Sequence, residues 1–262
     1  MEHVTSRDGT QIAYQRLGEG PPVVIVGGAM SDHTGGLPLA EALSPHLTAV
    51  VVDRRARGES GDRTPGIAGT VEREVEDLAA LVEAVGGRAT LVGASSGAVL
   101  CLAAAAHDLP VDRLVLFEPP FATEQFPPVA PPDMPEQLAA LVTQGRDGDA
   151  VELFLTRAVG LPAEMVAGMR QSEEWPAMMP LAPSTVYDAA LTRRYPRAEA
   201  FSSLLTPALV LHGEGTWPLL AASAAALAAA LPNAELRAIA GGDHRLDVPT
   251  AAAAILDVAG VD

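Results

Sequence analysis

Short apolar runs alternate with longer helical patterns along most of the chain, and this alternation restricts the fold more than any other feature of the sequence. The runs are rich in Val, Ile and Leu, as strands buried on both faces of a parallel sheet are. They cover residues 23–26, 49–52, 90–92, 114–117 and 208–211, and the helical patterns cover residues 71–85, 97–107, 218–231 and 250–258. A late strand is also predicted at residues 235–239. Because such alternation produces crossover units, the sequence predicts an α/β fold with a mostly parallel sheet.

One long segment interrupts the alternation. Residues 121–203 contain helical patterns and no convincing strand, and a proline-rich stretch at residues 127–132 should be extended and stiff. A helical insertion between two core strands explains this segment. We therefore expect a core domain made of residues 1–120 and 204–262, and a helical cap made of residues 121–203.

The motif G-A-S-S-G at residues 93–97 carries the strongest chemical signal. It has the form G-x-S-x-G between a predicted strand and a predicted helix, which is the context of a nucleophilic serine on a sharp turn. This context predicts Ser95 as a nucleophile. It also predicts the Ser96 N–H, at the helix start, as a donor to an oxyanion. The alternative is a turn of small residues without a catalytic role.

A serine nucleophile needs a general base, and His244 is the best candidate for it. His244 lies between a late predicted strand and the last predicted helix, in a loop suited to presenting a reacting group. A second oxyanion donor is expected at the Ala29 N–H, because the run at residues 23–26 leads into two glycines. The alternative for this turn is a tight connection with no catalytic role.

Together these residues resemble the α/β-hydrolase superfamily over nearly the whole chain. The resemblance rests on the glycine turn at residues 27–28, the sequence D-R-R-A-R-G-E-S-G at residues 53–61, the serine motif and the late histidine. It implies an eight-stranded sheet, a helical cap between the sixth and seventh core strands, and a Ser–acid–His triad with no metal ion or organic cofactor. The serine motif joined to F-E-P-P at residues 117–120 is similar to the branch containing zearalenone-type lactonases.

The position of the triad acid departs from the family pattern. Many family members have an aspartate where this chain has Thr216, and a hydroxyl cannot stabilise an imidazolium as a carboxylate does. Glu118 ends an apolar strand that this fold places beside the nucleophile strand, where an unpaired carboxylate would be costly. We therefore predict Glu118 as the acid, as the lactonase-like resemblance also implies. The alternative acids are Glu214, Asp243 and Asp247. In the structural alternative, Glu118 pairs with an arginine of the cap and has no catalytic role. If no carboxylate serves as the acid, the enzyme works as a Ser–His pair.

Two smaller departures from the family pattern concern backbone turns. The turn before the predicted oxyanion donor reads G-G at residues 27–28 in place of the usual H-G, so a hydrogen-bonding side chain is missing there. In the arginine-rich turn at residues 53–61, Ala56 replaces a commoner glycine.

Charge and hydropathy limit the partners that we expect. The formal net charge of −16 works against nucleic acids and anionic membranes, because binding either requires a cationic patch. The longest apolar stretch is too short to span a bilayer, and the N-terminus lacks the features of a signal peptide. Cys101 lies in an apolar run and should be buried and inert. These features predict a cytoplasmic protein that binds neither nucleic acid nor membrane. Its oligomeric state, with a homodimer as one option, stays open.

The leading functional hypothesis is hydrolysis of an apolar carboxylic ester or lactone, through an acyl-enzyme on Ser95 with His244 as base. Hydrolysis of a C–C bond and cofactor-free perhydrolysis would use the same residues. The alternative from another class is a small-molecule-binding protein that kept the fold and lost turnover, which the hydroxyl at Thr216 favours.

Substrate selectivity is expected to come from the cap. Trp175, Met178 and Met179, with Pro176 and Pro180 next to them, would suit an apolar pocket, since methionine adapts to irregular ligands. Met30, next to the predicted oxyanion donor, is the fourth candidate for substrate binding. The three cap residues equally suit packing of the cap against the core.

Overall fold

The computed structural model describes residues 1–62 and 66–261, and strands from both ends of the chain build one eight-stranded sheet. The strands are β1 (Glu2–Thr5), β2 (Gln11–Leu17), β3 (Pro22–Val26), β4 (Thr48–Val52), β5 (Ala89–Ala94), β6 (Val111–Phe117), β7 (Ala208–Gly215) and β8 (Ala234–Gly242). Their spatial order is β1-β2-β4-β3-β5-β6-β7-β8. The pairs β1–β2 and β2–β4 are antiparallel, and the other pairs are parallel. The predicted α/β fold with a mostly parallel sheet is confirmed.

Helices connect the parallel strands, as the alternation in the sequence predicts. They are α1 (Leu37–Leu43), α2 (Thr70–Ala84), α3 (Ser96–Ala106), α4 (Met134–Thr143), α5 (Asp147–Phe154), α6 (Ala163–Arg170), α7 (Trp175–Met178), α8 (Ala182–Arg194), α9 (Pro218–Ala230) and α10 (Val248–Ala259). Within residues 121–203 the sequence predicts one helix over residues 149–159, and the structure divides it between α5 and a π-helical turn, Leu155–Val159. The sequence patterns did not indicate α1 or α8.

The core lies on both faces of the sheet. Buried side chains of α2, α3 and α9 pack on one face, and those of α1 and α10 pack on the other. Every residue of β4 is buried, which explains why its sequence is apolar without alternation. The loops that follow the central parallel strands therefore meet at one edge of a sheet that helices cover on both faces.

A third hydrophobic cluster lies among the helices between β6 and β7. Its buried residues come from α4 to α8, and Ala29 and Met30 of the core pack against it. Within the described residues no strand occurs between Phe117 and Ala208, in agreement with the helical pattern of the sequence. The division into a core domain and a cap at residues 121–203 stays a prediction.

Two expectations about single features can also be compared with the structure. Cys101 is fully buried, and burial raises the pKa of its thiol to about 12, so it is not a ready nucleophile. In the described part of the chain, no helix combines the length and hydropathy needed to cross a bilayer.

Candidate active site

Ser95 occupies the sharp turn between β5 and α3. Its backbone has φ 53° and ψ −123°, a conformation that a non-glycine residue rarely adopts. The glycines on either side of Ser95 are required because a side chain at either position would clash with backbone atoms. A Cβ atom at Gly93 would lie 2.5 Å from the Cα of Ala98, and one at Gly97 would lie 2.3 Å from the carbonyl oxygen of Val26. The motif therefore lets strand, turn and helix approach closely while Ser95 stands half-buried at the edge of the sheet.

His244 and Glu118 form a hydrogen-bonded pair. The Nδ1 atom of His244 lies 2.5 Å from Oε2 of Glu118, and the N–H of Gly213 donates to Oε1 of the same carboxylate at 2.9 Å. The side chain of Glu118 is fully buried. Burial raises the pKa of Glu118, but the hydrogen bonds from His244 and Gly213 outweigh it and hold the pKa below its ordinary value. An ionised carboxylate at Nδ1 selects the tautomer in which Nε2 is free to accept a proton.

The end of β6 joins this pair to Ser95. The Ser95 N–H donates to the carbonyl oxygen of Phe117 at 2.9 Å, and Glu118 is the next residue. The ring of Phe117 stacks on the imidazole of His244, with centroids 6.1 Å apart and planes at 13°. Trp217 lies against the same imidazole at 5.8 Å. The structure thus gathers the predicted nucleophile, base and acid around Phe117.

The backbone donors predicted for an oxyanion lie close to the nucleophile. A Cβ atom at Gly28 would lie 3.0 Å from the Cβ of Ser95, so the glycine turn touches the serine turn directly. The N–H of Ser96 is in the first turn of α3, where helix geometry provides no acceptor. The Ala29 N–H follows Gly28 and, within the described residues, donates to no protein acceptor. Both donors are available to a ligand.

The alternative acids occupy other environments. Glu214 and Asp243 are exposed, and Asp247 caps α10 by accepting from the Thr250 N–H at 3.1 Å. The hydroxyl of Thr216 is buried and within the described residues meets no partner in good hydrogen-bond geometry, although it lies near enough to Glu118 to help lower the pKa of that carboxyl. His244 therefore pairs with Glu118 and with none of these residues.

A buried charged network, which sequence patterns did not reveal, lies beside the two backbone donors. It consists of Arg54, Arg57, Glu74, Asp188 and the hydroxyl of Ser96. Arg54 binds Glu74 through two hydrogen bonds of 2.8 and 2.9 Å. Asp188, on α8, accepts from Arg54, Arg57 and Ser96. The arginines belong to the D-R-R-A-R-G-E-S-G segment, so the family resemblance pointed to the segment but not to its partner on α8.

The candidate substrate-binding residues divide between the oxyanion turn, which contains Met30, and the helices between β6 and β7, which contain the other three. Met30 follows the predicted donor Ala29, has φ 56° and packs against the hydrophobic cluster formed by helices α4 to α8. Trp175 is 5% exposed, and Arg170 stacks on its indole. Trp175 and Met179 border a surface depression together with Arg170 and residues 145–149, and neither Ser95 nor His244 reaches it. Met178 packs against the same cluster. Their role in binding substrate stays a prediction.

One group of side chains among the described residues is close enough to share a metal ion, and it contains Asp32, His33 and Asp53. Asp53 is fully buried and already accepts hydrogen bonds from the backbone and Nδ1 of His33 and from the Glu59 N–H. These bonds explain the group as a support for the loop after β3.

Comparison with known proteins agrees with this geometry. The model of the alpha/beta hydrolase family matches residues 23–258. The chain belongs to the α/β-hydrolase family. An α/β-hydrolase of Sphaerobacter thermophilus is 45% identical, with 98% of this chain and 99% of that chain covered and a TM-score of 0.87. The 2-(acetamidomethylene)succinate hydrolase of Mesorhizobium japonicum is 29% identical over 87% of this chain and 82% of its own length.

More distant structures share the fold of this α/β-hydrolase. The enol-lactonase of Burkholderia xenovorans is 20% identical, with 99% of this chain and 100% of that chain covered and a TM-score of 0.71. Relatives named as hydrolases, and the family match over most of the chain, show that this α/β-hydrolase is an enzyme. The narrower resemblance to zearalenone-type lactonases stays a prediction.

Proposed function

We propose that this α/β-hydrolase cleaves a carboxylic ester or lactone through an acyl-enzyme on Ser95, with His244 as general base and Glu118 as the acid of the triad. The observation that supports this most strongly is the short hydrogen bond from His244 to a fully buried Glu118, directly after the residue that binds the Ser95 N–H. A buried carboxylate that fixes the tautomer of a partly exposed histidine suits proton transfer at Nε2 of that histidine.

In the proposed first step, the Ser95 oxygen attacks the carbonyl carbon and its proton passes to Nε2 of His244. The negative charge that develops on the carbonyl oxygen is stabilised by the N–H groups of Ala29 and Ser96. The bond to the leaving oxygen then breaks, and His244 returns the proton to that oxygen. Water repeats the sequence on the acyl-enzyme, which releases the carboxylic acid and regenerates Ser95.

An apolar small molecule is the proposed substrate, and neither nucleic acid nor a membrane surface is a proposed partner. Ala29 and Met30 pack against the apolar cluster of the cap helices, which supports an apolar acyl or alkyl group near the donors. The net charge of −16 opposes binding to polyanions. The relative from Mesorhizobium japonicum is named for a substrate with an acetamido group, so an amide belongs among the substrates tested.

The test compares the wild type with Ser95→Ala and with Ser202→Ala, an exposed serine that serves as the control. We expect Ser95→Ala to abolish turnover of p-nitrophenyl acyl esters, of a γ-lactone and of any N-acetyl amide that the wild type cleaves, because no other described group replaces the nucleophile. Its far-UV circular dichroism should be unchanged. Ser202→Ala should behave as wild type. A fluorophosphonate should add one mass equivalent to the peptide that contains Ser95.

Different results would contradict the proposal in different ways. Turnover retained by folded Ser95→Ala would exclude the serine mechanism. A label on another serine would exclude Ser95 as the nucleophile. A wild-type protein that neither turns over these substrates nor takes the label, but binds apolar carbonyl compounds, would support the binding-protein hypothesis.

A further inference from the structure

Asp188 joins α8 to both sides of the predicted oxyanion site. Its side chain is 1% exposed. Oδ1 accepts from Nη1 of Arg54 at 3.0 Å and from the Ser96 hydroxyl at 2.8 Å, and Oδ2 accepts from Nη2 of Arg57 at 2.8 Å. The two arginines continue toward the glycine turn. Arg54 donates to the carbonyl oxygen of Gly27 at 3.2 Å, and Arg57 donates to that of Gly28 at 2.8 Å.

The bond from Arg57 to Gly28 bears directly on the Ala29 donor. The Gly28 carbonyl and the Ala29 N–H belong to one peptide group, which is planar and trans, so they point in opposite directions. A guanidinium that holds the carbonyl oxygen from one side therefore fixes the direction of the N–H on the other side. A charged donor at the oxygen also polarises the peptide and makes its N–H a stronger donor. A glycine before the donor leaves this peptide free to rotate unless something holds it.

The second arm of the network acts on Ser96. The Ser96 hydroxyl donates to Asp188 and accepts from Arg54 at 3.2 Å, so the first residue of α3 is held from its side chain. The N–H of this residue is the other predicted oxyanion donor. One carboxylate on α8 therefore restrains both donors, one through Arg57 and one through the Ser96 hydroxyl.

The network depends on Asp188 for its charge balance. Arg54 has Glu74 as a second partner, whereas Arg57 has Asp188 as its carboxylate and, within the described residues, its Nε meets no acceptor. Burial raises the pKa of Asp188, but Arg57 and Arg54 outweigh it and hold the pKa below its ordinary value. Loss of the Asp188 charge would leave Arg57 buried without a counter-ion, which strongly disfavours its present position.

We propose that Asp188 is a positioning residue that holds the Ala29 and Ser96 donors in place, and so makes stabilisation of the oxyanion depend on the docking of α8 on the core. The inference rests on the proposed ester hydrolysis. It assigns to α8 a role in the chemical step that is separate from any contact with substrate.

The test uses Asp188→Asn and a matched control, Asp77→Asn. Asp77 is also buried and pairs with Arg55 through bonds of 2.6 and 3.0 Å, but Arg55 otherwise binds Asp8 and Thr10 of the first hairpin. Burial raises the pKa of Asp77 to about 6, so the comparison is made near pH 8, where both carboxylates are ionised. Asp77→Asn removes one buried arginine–aspartate pair, with Arg55, and Asp188→Asn removes two, with Arg54 and Arg57.

The readout is the ratio of kcat/KM for p-nitrophenyl acetate to that for its thiono analogue. Sulfur accepts hydrogen bonds poorly, and the two compounds share their leaving group, so this ratio reports hydrogen bonding to the carbonyl oxygen in the transition state. Loss of one oxyanion donor costs about 10²–10³ in kcat, and a donor that is loosened should cost less. We expect Asp188→Asn to lower kcat about 10- to 100-fold, to change KM little, and to lower the ratio about 10-fold.

A double variant guards against a general loss of stability. Arg57→Met with Asp188→Asn removes one charge of each sign and leaves Arg54 paired with Glu74, so folding should recover while the Gly28 peptide stays unrestrained. Low kcat and a low ratio in this variant would support the proposal.

The possible outcomes separate this inference from the proposed function. If wild type hydrolyses the ester but Asp188→Asn loses no more kcat than Asp77→Asn, or if the ratio of either Asp188 variant equals that of wild type, the positioning role is wrong and the serine mechanism stands. If wild type neither turns over the ester nor takes a fluorophosphonate on Ser95, the proposed function fails and the positioning role fails with it.

Discussion

Replacement of Glu118 by glutamine changes one atom of a carboxylate that has two hydrogen-bond donors. The Gly213 N–H donates to one oxygen at 2.9 Å and His244 lies at the other at 2.5 Å. Glutamine offers one oxygen and one NH2 group. The Gly213 N–H can only donate, so the amide oxygen should turn toward it and the NH2 group toward Nδ1 of His244. Nδ1 must then accept, the proton moves to Nε2, and His244 no longer acts as a base.

The expected loss can be bounded from these contacts. If the wrong tautomer dominates, the cost should match the loss of a triad carboxylate, about 10⁴ in kcat, or about 5 kcal/mol of transition-state stabilisation. The opposite amide orientation keeps the correct tautomer but leaves the buried Gly213 N–H unsatisfied, at about 1–3 kcal/mol. If that orientation is populated, the molecules that adopt it stay active, and the loss of kcat can be as small as about 10-fold. We therefore expect Glu118→Gln to retain between about 10% and about 0.01% of wild-type kcat.

The assay is kcat for p-nitrophenyl acetate, with near-UV circular dichroism as the check that the variant is folded. Glu214→Gln is the control, because Glu214 is exposed near the end of β7 and its replacement is the same chemical change. Glu214→Gln should stay within about twofold of wild type, as surface substitutions usually do. A Glu118→Gln enzyme that keeps near-normal kcat, or a Glu214→Gln enzyme that loses activity as strongly, would refute the reasoning.

Two further predictions concern stability. Ala56 has φ 60°, which costs a non-glycine residue about 1–2 kcal/mol, so Ala56→Gly should raise the free energy of unfolding in urea by up to about 1 kcal/mol; a decrease would contradict this. The pKa of Glu118 is lowered in the folded state, so its contribution is present above the unfolded pKa and is lost as pH falls through the folded pKa. The difference in Tm between wild type and Glu118→Gln should therefore become less favourable to wild type below about pH 4, and a pH-independent difference would exclude this linkage.

The sequence predicted the sheet well because its central strands are buried on both faces. Such strands are uniformly apolar, so each appears as a short run with helical patterns on either side. Burial had the opposite effect on the helix α8, which the sequence patterns did not indicate. Nine of its residues are buried, so it has no continuous polar face, and its β-branched and hydroxyl residues do not favour a helix. The equally buried α3 was predicted because it is rich in alanine, so α8 was missed through burial combined with weak helix propensity.

The candidate site shows a similar division. Ser95, His244 and Glu118 stand at the ends of predicted strands, and a parallel sheet brings such positions to one edge. The partnership of Asp188 with Ser96, Arg54 and Arg57 had no comparable signal. It spans 92 to 134 positions along the chain, and a single acidic residue in a helix usually indicates a solvated surface. Only packing of α8 on the core reveals that this carboxylate is buried.

The position of Asp188 has a consequence for engineering. Helical caps invite transplantation between related enzymes, as if they were modules that carry selectivity and nothing else. Here a graft that replaced α8 would leave the guanidinium of Arg57 buried without its carboxylate, and a graft that brought an unmatched acidic residue would create the opposite imbalance. A workable chimera must end before Ala182, or its incoming helix must keep an aspartate at position 188 for Arg54 and Arg57.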